Sequence, residues 1–146
     1  MSITVGPREA GVLLRIEPDS PVPIYQQIRD RVVEAIAHGE QPAGSALPST
    51  RQLAVDLSIN FHTVNKAYDI LRREGLVRLN RKSGAVIARD ASHGPADDGF
   101  VVEWRQRLRT LLAEAAAQGM DSDQIIEACR SVLAQFPPHR SEDDPS

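Results

Sequence analysis

Residues 60–66 read Asn-Phe-His-Thr-Val-Asn-Lys, a short run dense in side chains that donate and accept hydrogen bonds. Asn65 offers a donor and an acceptor side by side, the pattern that pairs with the N6 and N7 edge of adenine. His62 and Thr63 can bond to base edges or to phosphate oxygens, and Lys66 adds charge. Arg51 lies upstream in "LPSTRQLA", placed to reach a backbone phosphate, and Arg81 and Lys82 lie downstream in "NRKSG". Phe61 is an aromatic at the start of the polar run, and two roles are open to it: contact with a thymine methyl, or cover for the edge of a core.

Catalytic chemistry finds no comparable set. His38, His62, His93 and His139 have no metal-ligand spacing with Cys129 or with one another. There is no phosphate-cradling Gly-rich loop and no G-x-S-x-G. No enzyme activity, metal or cofactor is expected. Cys129 is the single cysteine, which excludes an internal disulfide. It falls on an apolar stripe and is expected to be a small buried hydrophobe.

Charge is unevenly spread. The chain carries −3 overall, but residues 21–90 hold ten Lys and Arg against seven Asp and Glu, and residues 91–146 hold five against ten. A mildly basic middle and an acidic C-terminal part suit a small phosphate-facing footprint, doubled if two chains associate. No apolar run approaches the ~20 residues that span a bilayer. "MSITVGPREAG" lacks the basic patch and apolar core of a secretory signal. With the single cysteine, these features lead to the expectation of a cytoplasmic protein without membrane contact.

The elements that must carry these residues follow from periodicity. Residues 1–20 read as a leader with one short strand in "VLLRIEP". In "PIYQQIRDRVVEAIAHG", Ile24, Ile28, Val32 and Ile36 recur at every fourth position, widened by Tyr25, Val33 and Ala35. Pro23 suits the first helical position and Gly39 the residue past the end. "EQPAGSALP" reads as a loop. Ser49 with Gln52 three residues on predicts a capping box and a second helix over 50–57, with Leu53, Ala54 and Leu57 inward. Asn60 caps a third helix, stapled by Ile59, whose inward residues are Val64, Ala67, Tyr68 and Leu71. Gly75 ends it in a left-handed conformation. Two β-prone runs, 76–79 and 85–89, flank "NRKSG" and predict a hairpin with Gly84 at positive φ.

Helix, helix, short turn, helix and hairpin is the order of a winged helix-turn-helix. The short turn makes the second and third helices cross steeply. Their inner faces share a core with the first helix, and the outer face of the third is left projecting. A B-DNA major groove, ~12 Å wide, admits one such helix. The hairpin becomes a wing with Arg81 and Lys82 at its tip. The N-terminal amides behind Ser49 and Asn60 are further phosphate donors.

The run "PIYQQI…G…G…LPSTRQLA…L.IN..TVNKAYDILRREGLV…SG" resembles the winged-helix domain of the GntR family of bacterial transcription regulators, over residues 21–89. The resemblance implies operator contacts by Arg51, by Asn60, His62, Thr63 and Asn65, and by the wing tip. This chain departs where the family often has Arg, at Phe61, and where the wing often has Gly, at Lys82.

After a linker over 91–99, residues 100–136 read as two further helices. Val101, Trp104, Leu108, Leu111, Leu112 and Ala115 lie on one side of the first; Ile125, Ile126, Cys129, Val132, Leu133 and Phe136 lie on one side of the second, which Asp121 or Ser122 caps. Residues 137–146 read as a disordered tail. Two such helices cannot bury wide apolar stripes on each other alone. The short appendage is similar to that of the YtrA subfamily, whose two helices are thought to mediate dimerisation.

The sequence thus predicts a mainly α fold with a small β-wing over 21–90 and a helical dimerisation region over 100–136. The expected function is that of a transcription regulator, a repressor, bound as a homodimer to a palindromic double-stranded operator. The alternative is a winged helix used for protein contacts. A small-molecule effector is not specified; space for one is limited to the dimer seam or the groove between recognition helix and wing.

Overall fold

The computed structural model describes residues 2–5, 12–80 and 84–137. The chain divides into two compact units, residues 1–92 and 93–146.

In the first unit, α1 (Ile24–Ala37) buries Ile28, Val32, Ala35 and Ile36. The i, i+4 spacing turns all of them to one side. Pro23 is the N-cap residue, one position earlier than its composition suggested, and Gly39 follows the helix end at φ +80. A short turn separates α2 (Thr50–Leu57) from α3 (Phe61–Arg73). Leu53, Ala54 and Leu57 from α2 and Val64, Ala67, Tyr68 and Leu71 from α3 meet α1 in one core. Arg29 on α1 forms an ion pair with Glu74, the C-cap of α3, with Nε donating to Oε1 at 2.9 Å. That bond pushes the Arg29 guanidinium still further toward its charged form.

A three-stranded antiparallel sheet closes the unit, in the order β3 (Ala46–Leu47), β5 (Gly84–Ile87), β4 (Val77–Asn80). Its register sets Leu47 opposite Ala85 and Val77 opposite Ile87. Alternation turns Ala85 and Ile87 inward. β3 lies inside the segment read as a loop. A two-residue strand is too short for a period-2 signal, and it exists only because β5 offers an edge beside it.

The leader differs from expectation in two ways. Its strand, β2 (Val12–Arg15), is half of a hairpin with β1 (Ser2–Val5), and Leu14 and Ile16 are buried in the core. Gln27 holds this segment down. Buried in α1, it accepts the Glu17 N–H at 2.8 Å and donates to the Glu17 and Val22 carbonyls at 3.0 and 2.8 Å. A buried amide bonded through both its oxygen and its nitrogen carries no desolvation debt.

In the second unit, α4 (Asp98–Ala117) starts two residues before the expected boundary because Asp97 caps it, accepting the Phe100 N–H at 3.2 Å. α5 (Ser122–Leu133) has a full capping box between Asp121 and Gln124. No residue of either helix is buried within the chain. Cys129 is accordingly exposed, not buried as expected, because a pair of helices has no interior of its own.

Candidate nucleic-acid interface

The turn that aims α3 is built from backbone bonds. Ser58 adopts a left-handed conformation, φ +54, and the Ile59 N–H returns to the Ala54 carbonyl at 3.0 Å. This closes α2 in a Schellman-type end. Ile59 packs on the core, and Asn60 then starts α3, its Oδ1 accepting the His62 N–H at 2.8 Å. Tyr68, buried in the second turn of α3, donates its phenol to the Pro48 carbonyl at 2.7 Å. Pro48 immediately precedes Ser49, whose hydroxyl accepts the Gln52 N–H at 3.1 Å and caps α2. The reciprocal half of the expected capping box is absent: the Gln52 side chain donates to Asp56 instead, at 2.7 Å. An i, i+4 partner on its own helix competes for that amide.

The outer side of α3 is polar and open. His62 and Lys66 are exposed, and Thr63 and Asn65 are half-buried beside them. Phe61 is half-buried with part of its ring on the core. The Arg51 guanidinium lies over that ring, 5.8 Å from its centroid, and the His62 ring meets it edge-on at 5.7 Å. Arg51, Phe61 and His62 therefore form one cluster across the two helices. Lys66 stands over the Tyr25 ring of α1, its ammonium 4.0 Å from the centroid. Further along, Asp69 pairs with Arg72 at 2.6 Å and Arg73 at 2.8 Å; the Arg72 hydrogen bond, with the Arg73 charge behind it, holds its carboxyl below the usual range. Gly84, at φ +72, opens β5 on the wing. Arg81 and Lys82 lie outside the described residues.

The helix and its outward residues were readable from periodicity. The supports were not. Tyr25 and Lys66 are distant in sequence, as are Tyr68 and Pro48, so no local pattern pairs them. Among the described residues no three His, Cys, Asp or Glu side chains gather as a metal site requires, and no helix is long and apolar enough to cross a membrane.

Residues 24–87 match the family described as bacterial regulatory proteins, gntR family. The chain is 31% identical over 122 residues to the HTH-type transcriptional repressor YtrA of Bacillus subtilis, an alignment spanning 84% of this chain and 93% of that protein. The chain belongs to the GntR family. A second Bacillus subtilis relative, the HTH-type transcriptional regulator YhcF, is 35% identical over 112 residues, spanning 77% of this chain and 91% of its own. Among solved structures, YtrA from Sulfolobus acidocaldarius, a GntR-family transcription factor, superposes with a TM-score of 0.56 at 36% identity, over 71% of this chain and 97% of that one. A transcriptional antiterminator from Listeria monocytogenes superposes with a TM-score of 0.75 over 88% of this chain and 96% of that one; at 24% identity it speaks for the fold alone. This GntR chain is thus a winged-helix transcription regulator with a helical C-terminal part.

Proposed function

We propose that the chain is a repressor that binds a palindromic DNA operator as a homodimer, α3 lying in the major groove. The carrying observation is the division of α3 into two faces. Val64, Ala67, Tyr68 and Leu71 are locked into the core while His62 and Lys66 stand exposed on the opposite side, with Thr63 and Asn65 half-buried along its two flanks. Asn65 reads a base, and His62 and Thr63 bond to bases or phosphates. Arg51 and Lys66 meet the backbone. Ser49 and Asn60, already used as caps, present the N-terminal amides of α2 and α3 to phosphates. Arg81 and Lys82, in the sequence between β4 and β5, add charge for the backbone.

The dimer reading is supported by the second unit. Trp104, Leu111, Ile126, Val132 and Leu133 are between 45% and 66% exposed, and Cys129 is exposed with them. Leu108, Leu112 and Ile125 are half-buried. An apolar stripe of that extent is ordinarily covered by another surface. A two-fold pair would set two copies of α3 on half-sites about 34 Å apart. Repression in place of activation follows the named function of the Bacillus subtilis relative.

The test is selection of bound fragments from a random duplex library by the full chain, followed by affinity measured against salt. A palindromic consensus, and an affinity that falls linearly on a log-log salt plot, are expected. Enrichment of no sequence, with salt-independent binding, overturns the proposal.

A further inference from the structure

We infer that Phe61 is a positioning residue, its ring holding the Arg51 guanidinium and the His62 imidazole in the orientations from which they meet DNA. This rests on the DNA-binding reading above and assigns to Phe61 a role distinct from core cover and from base contact.

Three observations converge. Phe61 occupies the first position of α3, directly after the Asn60 cap, so its backbone is fixed. Part of the ring packs on the core, which leaves the side chain little freedom to swing. The remainder is engaged on two sides: Arg51 from α2 lies 5.8 Å from the centroid, and His62 meets it with the ring planes at 62°. A cation over an aromatic face and an edge-to-face ring pair are both attractive arrangements of the ring quadrupole. Among the described residues, neither the Arg51 nor the His62 side chain is oriented by a carboxylate; the ring of Phe61 is the contact each makes. Both keep their hydrogen-bonding nitrogens for a partner, since a π-face restrains the group without consuming its N–H donors.

The chemical consequence is preorganisation. An exposed arginine loses rotamer freedom when it grips a phosphate, and a side chain already restrained loses less. One ring serves a residue of α2 and a residue of α3 together, so it also fixes the spacing between the phosphate contact and the start of the reading helix. An apolar residue of similar volume fills the core edge but offers no π-face to either neighbour.

The experiment uses the full chain, Phe61→Leu, Phe61→Met and Phe61→Tyr variants, and a duplex selected from a random library by the unaltered protein. In the free protein, NMR should show the Arg51 protons next to the guanidinium, on Cδ and Nε, shifted upfield by the ring. That shift should persist in Phe61→Tyr and vanish in Phe61→Leu and Phe61→Met. Binding should weaken about threefold to tenfold for Leu and Met, and stay within about twofold for Tyr, with thermal midpoints close to that of the unaltered protein. In an Arg51→Ala, His62→Ala background the Leu substitution should cost less than about twofold further, because the groups it positions are gone. The same threefold to tenfold cost in that background assigns Phe61 to direct DNA contact and overturns the inference. So do unchanged affinity in Leu and Met, or an Arg51 proton shift indifferent to residue 61. If one apolar variant is unstable, the other decides. If the unaltered chain selects no duplex, the DNA-binding reading fails, while the proton shifts still decide whether Phe61 orients Arg51.

Discussion

The Tyr68 hydroxyl donates to the Pro48 carbonyl at 2.7 Å, tying the middle of α3 to the residue that leads into α2. This one bond links the helix that presents His62, Thr63, Asn65 and Lys66 to the strand-helix junction that presents Ser49 and Arg51. It spans the two helices independently of the Ser58 turn, so their crossing is fixed at both ends.

Replacing Tyr68 with Phe leaves the Pro48 carbonyl without its donor, at a cost of about 1–2 kcal/mol in urea denaturation. The pH dependence gives a second check. Burial pushes the Tyr68 phenol above its ordinary range, so the folded state favours the protonated form. Stability from this group is fully present below the unfolded-state pKa of about 10 and is lost as pH rises beyond it. Tyr68→Phe should therefore show a shallower alkaline decline than the unaltered chain. An identical decline would show that the phenol is not held in the core.

Asn65→Ala should cost about 1–3 kcal/mol of operator affinity and relax base choice at one position of each half-site. Arg51→Ala should weaken binding to all sequences and reduce the salt slope by about one. Binding selections repeated with each variant separate the two roles. Unchanged selectivity in Asn65→Ala removes that residue from base reading.

The α2–α3 turn holds Ser58 at φ +54, where an L side chain is strained and glycine is not. Ser58→Gly should stabilise the fold by about 0.5–1 kcal/mol, the relief of strain outweighing the extra freedom of the unfolded chain. A lowered urea midpoint would mean that the serine side chain contributes to the turn.

In the second unit Leu111 and Leu133 are more than 60% exposed, whereas Leu108 and Leu112 are half-buried in the helix pair. Leu111→Asp with Leu133→Asp thus challenges association without opening the pair itself. Sedimentation should show monomers with unchanged helical circular dichroism. Persistent dimers would place the interface elsewhere.

The sequence was most legible where a local rule acts alone. The spacing of Ile28, Val32 and Ile36, the caps at Ser49 and Asn60, and the positive φ of Gly75 and Gly84 each depend on a few neighbouring residues. It was least legible where pairing is long-range. Ala46–Leu47 becomes a strand only beside Ala85–Val86, and Leu14 enters the core from a segment that Gln27 fastens to α1 at residues 17 and 22. The same holds at the interface: the outward residues of α3 were read from periodicity, but the Phe61 cluster and the Tyr25–Lys66 contact needed the helix crossing to be known.

Entry of the polar face of α3 into duplex DNA can be followed by titrating the isotope-labelled chain with its selected duplex and recording backbone and side-chain NMR signals. The largest changes are expected at Arg51 and at His62, Thr63, Asn65 and Lys66, with the buried faces of α1 and α3 little affected. Saturable binding that leaves those five residues unmoved, and perturbs another surface, would contradict such entry.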